Sequence, residues 1–147
     1  MTPELFTASD YFVAAELETG VATSRLLEIV PHDRLLLALF APYAGPDGSL
    51  RSRPLPQLAA ALAVSLAREE LLDDEGLFSG ERLRPQVNDD VAVTAMVGFL
   101  AKNGRPLQIA RGHHAREHAR AVDLVERVLD GEAREDDLAA WVAERIV

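Results

Sequence analysis

Apolar residues recur along this chain at three- and four-residue intervals, and runs with two-residue alternation are missing. The pattern predicts helices and leaves nothing that reads clearly as a strand. A first helix over about 9 to 19 can be capped by Thr7 or Ser9, carries Asp10 in its first turn and can end on Gly20. A second segment starts near Thr23 or Ser24 and runs to Val30, where Pro31 interrupts it. Asp33 can cap a third helix from Arg34 to Phe40. Residues 41–56 are rich in proline and glycine and read as a loop, with Gly45-Pro46-Asp47-Gly48 as a turn.

Leu58 to Leu72 is the strongest helical segment of the first half. From Leu58 to Ala67 only Ser65 is polar, so this helix is expected to be largely buried. Val91 to Ala101 is the second central helix, capped by Asn88 or Asp89. Gly98 inside it costs about 1 kcal/mol relative to alanine, and a close helix crossing is the expected reason for it. Asn103 to Pro106 reads as a turn, with Pro106 in the first turn of a short helix. Further helices are expected over 113–130 and 135–146, the last with Leu138, Trp141, Val142 and Ile146 on one side. The fold class is therefore all-α: one domain over 1–147, a compact bundle-like array of five to seven helices. The 58–72, 91–101 and 113–130 helices form its centre, the first two largely buried, and the first and last helices cover them.

Composition narrows the function classes. Aromatic residues are only 5% of the 147, so leucine, alanine and valine must fill the interior. The 24 acidic and 15 basic residues give a net charge of −9, a field that repels phosphate backbones and anionic membranes. Nucleic acid is accordingly not expected as a partner. The absence of cysteine excludes disulfides and thiolate metal sites. No apolar run is long enough to span a bilayer, and Met1 to Phe6 shows no basic region leading into an apolar one. A cytoplasmic protein without a membrane partner is expected.

The candidate chemistry lies in Gly112-His113-His114-Ala115-Arg116-Glu117-His118, which holds three of the four histidines. On a helix His114 and His118 share a face, and with Ala121, Val125 and Val128 they follow the spacing of a packed seam. The two imidazoles would then point into the fold, with Glu117 at the edge and His113 further round. Two imidazoles one turn apart can reach one divalent ion, with zinc, nickel or iron suited to neutral imidazole. Further ligands must come from elsewhere, with His32, Glu69, Glu70, Asp73 and Glu16 as candidates. The segment does not spell the His-Glu-x-x-His of zinc hydrolases, and histidines hydrogen-bonded to carboxylates or sitting at a subunit contact are the favoured account of it over a bound metal.

Other arrangements carry less. Residues 58–77 resemble part of a helix-turn-helix, but the spacing crowds out a reading helix and acids stand where cations should meet phosphate. Asp73-Asp74-Glu75 lacks the alternate ligand positions of a calcium loop. Lys102 to Arg127 holds six cations against three acids, and Arg111, Arg116 and Arg120 could form a stripe that pairs with an acidic surface such as 69–90. Trp141, the only tryptophan, is a candidate contact or core residue. No catalytic residue can be nominated. The expectation is a small non-catalytic helical protein that binds another protein or a copy of itself, needing no cofactor. The alternative is a helical bundle that binds a divalent metal through His114 and His118, with a metal-dependent enzyme as one form of it.

Overall fold

A computed structural model describes residues 3–44, 53–73 and 85–146. The turn expected at Gly45 to Gly48 and the acids Asp74, Glu75 and Glu81 lie outside them. Seven α-helices follow one another among the described residues: α1 (Ala8–Thr19), α2 (Thr23–Ile29), α3 (His32–Phe40), α4 (Leu55–Glu69), α5 (Val87–Lys102), α6 (His114–Leu129) and α7 (Glu135–Ala143). A 3-10 turn at Ala41–Tyr43 extends α3. The all-α array is as the periodicity implies.

Local chemistry sets the boundaries. Thr7 and Asp10 form a reciprocal capping box, the Thr7 hydroxyl accepting from the Asp10 N–H at 3.2 Å and the Asp10 carboxylate from the Thr7 N–H at 2.9 Å. Gly20, at φ +71°, turns α1 off through a left-handed cap. Pro31 itself occupies the N-cap position of α3, so Asp33 lies inside the first turn rather than capping it. α4 starts at Leu55, one turn ahead of Leu58. Pro56 falls in its first turn, where a missing N–H costs nothing.

α4 also stops earlier than the apolar run. Glu70 adopts the left-handed conformation at φ +46° and breaks the helix. Leu71 and Leu72 continue into the core outside it, each almost fully buried. The Asn88 side chain clasps the backbone there: its Oδ1 accepts from the Leu72 N–H and its Nδ2 donates to the Leu72 carbonyl, both at 2.9 Å. Asn88 and Asp89 therefore lie within the first turn of α5 rather than capping it, and α5 begins at Val87.

α4 and α5 make the most extensive helix contact in the fold. Alanines 59, 60, 63, 92 and 95 are fully buried on these two helices, and small side chains let the backbones approach. α1 packs on α5, and α3 and α7 pack on α4. α6 is not central. It buries only Ala121, Val122 and Val125, because its first two turns carry no apolar side chain larger than alanine. Gly98 is exposed, and an added Cβ would meet only the Phe6 ring at 3.8 Å, so no close crossing explains it.

Pro106 starts no helix. Leu107 instead forms an isolated antiparallel bridge with Ile146, and the Gln108 N–H donates to the Arg145 carbonyl. α7 ends at Ala143, which places Ile146 in that bridge and not on the helix.

Candidate functional site

The histidine segment opens α6, but its side chains diverge. His113 occupies the N-cap position and its Nδ1 lies 3.0 Å from the Arg116 guanidinium. His114 is exposed in the first turn, not turned into the fold. His118 is half-buried with Nε2 3.0 Å from Asp90 Oδ1. Glu117 turns the other way and accepts from Arg145 Nε at 2.9 Å. The more distant candidates are engaged separately: His32 Nε2 is 2.9 Å from the Leu27 carbonyl, and Glu69 pairs with Arg34 at 3.1 Å. Glu16 accepts from the Thr23 hydroxyl. Among the described residues no three His, Asp or Glu side chains gather as a set of metal ligands. The seam runs through Ala121 and Val125 and fades before His114, because α6 overhangs the core at its amino end.

A carboxylate cluster does form where α5 meets α6. Desolvation raises the Asp89 carboxyl to a pKa of about 6, aided by a hydrogen bond to Glu126 and by the negative charges of Glu126, Asp90 and Glu70. The folded-state value lies above the ordinary 3.8, so the folded protein binds a proton that the unfolded chain does not between those pH values. The contribution of this pair to stability is complete below about pH 4 and is lost as pH rises through about 6. Asp89→Asn should consequently raise stability at pH 7.5 by about 1 kcal/mol, after discounting for partial solvent exposure. The gain should vanish at pH 4.5; thermal melts of the two proteins at both pH values check this.

The arginines singled out as contacts, Arg111, Arg116 and Arg120, are exposed. Trp141 is not a surface residue. It is 8% exposed in the core, with the Arg145 guanidinium 4.3 Å from its ring centre.

The surface feature that periodicity did not reveal lies at the other end of the chain. Seven large hydrophobic side chains are exposed among the described residues: Leu5, Val13, Leu17, Leu27, Leu36, Leu37 and Phe40. All precede residue 41. Leu17 is 74% exposed and Leu37 69%, far beyond incidental edges of a core. Val13 and Leu17 stand one turn apart on α1, as do Leu36 and Phe40 on α3. The helices that carry most of them pack on one another, α1 against both α2 and α3. A fully exposed side chain of this size presents about 150–200 Å², so these residues leave roughly 600 Å² of apolar surface in water. A signal existed in the run Leu35 to Phe40, six consecutive apolar residues. A two-turn helix on a surface cannot bury all its sides.

Comparison with protein-family models, with curated proteins and with solved structures gives no match.

Proposed function

We propose that this protein is a non-catalytic binding module that docks another polypeptide on the outer faces of α1, α2 and α3. The concentration, among the described residues, of all seven exposed large hydrophobic residues on this one part of the chain carries the reading. Monomers expose single apolar residues everywhere, whereas several gathered on helices that pack on one another favour a contact surface. Its area approaches the roughly 800 Å² that each partner contributes to a standard interface. No helix among the described residues is long and apolar enough to cross a membrane.

A photo-crosslinking residue placed at Leu37, with a control at the exposed Asp123 of α6, tests the proposal in cells. Position 37 should yield a discrete adduct with another polypeptide that position 123 does not, and Phe40→Ser should remove it. Leu37 and Phe40 are exposed, so Leu37→Ser and Phe40→Ser should each change stability by less than about 0.5 kcal/mol. Equal adducts from both positions, or none from either, would refute the docking role.

A further inference from the structure

We infer that the segment docked on α1–α3 is a cationic amphipathic helix: apolar anchors at three- and four-residue spacing, flanked by lysine or arginine. This rests on the binding role proposed above and adds the chemistry of the partner.

The charge of the wall is the first argument. Residues 3–44 carry six acids, Glu4, Asp10, Glu16, Glu18, Glu28 and Asp33, against Arg25 and Arg34. Both arginines are engaged, Arg25 by Glu28 at 3.1 Å and Arg34 by Glu69 at 3.1 Å, and Lys102 of α5 pairs with Asp10 at 2.7 Å, which leaves Glu4, Glu16 and Asp33 as the exposed acids outside these ion pairs. Glu4, Glu16, Glu28 and Asp33 are exposed beside the apolar residues. Two copies of this wall laid face to face would oppose like charges, which disfavours self-association through it. An anionic membrane is disfavoured for the same reason.

The helix ends supply a second, independent argument. A helix carboxyl end holds partial negative charge and is ordinarily met by a cation. α4, α5 and α6 follow that rule with Arg68, Lys102 and Arg127 in their last turns. α1, α2, α3 and also α7 have no lysine or arginine in theirs, α1 places Glu16 and Glu18 there, and at the end of α2 the His32 imidazole lies 2.9 Å from the Leu27 carbonyl. On the part of the chain that exposes apolar side chains, α1 and α3 thus end without a basic residue in their last turns. A cationic partner supplies what these ends lack.

Helical docking follows from what the wall offers. It presents side-chain ridges of helices, with no strand edge among the described residues of α1–α3 onto which a β-segment could add.

The test uses the whole purified chain and two fluorescent synthetic peptides of about 16 residues. Both carry the same leucine and phenylalanine face, one with lysine and arginine on its polar face and the other with glutamate. Anisotropy should show saturable binding of the cationic peptide at least tenfold tighter than that of the anionic one. Leu37→Ser/Phe40→Ser should weaken the cationic peptide at least tenfold, and Glu4→Gln/Glu16→Gln/Asp33→Asn should weaken it and flatten its salt dependence. Glu132→Gln/Asp136→Asn, on the α7 side, should leave it unchanged; an equal loss there would show non-specific attraction and overturn the inference. Equal affinity for both peptides, with adducts still formed at position 37, would overturn the cationic partner while leaving the docking role standing. A crosslink from position 37 to a second copy of this chain, or flotation with phosphatidylglycerol vesicles that depends on Leu37 and Phe40, would also overturn the inference. No peptide binding together with no specific adduct would remove both proposals.

Discussion

Phe99→Ala is expected to destabilise the fold by about 3–5 kcal/mol, whereas Phe40→Ala should leave it almost unchanged. The two substitutions remove the same atoms. Phe99 is 1% exposed on α5, the helix that α1, α4 and α6 all touch, so truncation leaves a cavity in the middle of the array. Phe40 is 59% exposed, and its loss removes surface that already faces water. A cost of this size is a large part of the 5–15 kcal/mol that holds a domain folded. Urea denaturation of the two variants beside the parent protein checks it. A cost below about 1 kcal/mol for Phe99→Ala would mean that α5 is not the centre of the core.

What could be read from the sequence follows the strength of each local signal. The Thr7 and Gly20 caps are encoded within α1 itself, so its limits were legible to one residue. The burial of α4 was legible because one polar residue in ten leaves no solvent face. Its ends were not. Pro56 looks like a breaker but is harmless in a first turn, and Leu71 and Leu72 look like helix but are buried after Glu70 has broken it. Leu72 is held by the Asn88 side chain, 16 residues away, and no local pattern records such a contact.

The histidine segment shows the same limit from the other side. Spacing puts His114 and His118 one turn apart on α6, but a face is useful only where something packs on it. α5 reaches His118 through Asp90, while His114 lies beyond the covered part of α6. The exposed wall was harder still. Val13 and Leu17 follow core-like spacing, and only the position of their neighbours decides that they face outward. Periodicity tells which residues share a side of a helix, and the tertiary arrangement tells which side is covered.

Arg145, which no motif singles out, should prove more important to stability than any of the exposed arginines. It donates from Nε to Glu117 at 2.9 Å and from Nη1 to the Trp141 carbonyl at 2.9 Å. Its guanidinium also lies against the Trp141 ring, and its own carbonyl accepts from the Gln108 N–H. One side chain thereby ties α6 to α7, beside the bridge between Leu107 and Ile146. The Glu117 and Arg145 side chains are only 13% and 18% exposed, so Arg145→Met would leave a largely buried carboxylate without its partner. A cost of about 2–3 kcal/mol is expected. The double variant Glu117→Met/Arg145→Met should recover more than half of it, because the penalty comes mainly from the stranded charge. By contrast Arg111→Met and Arg120→Met, on exposed side chains, should change stability by less than about 0.5 kcal/mol. Denaturant midpoints across this set separate the cases: a single-variant cost that the second substitution does not relieve would assign the role of Arg145 to packing on Trp141 instead of to its charge.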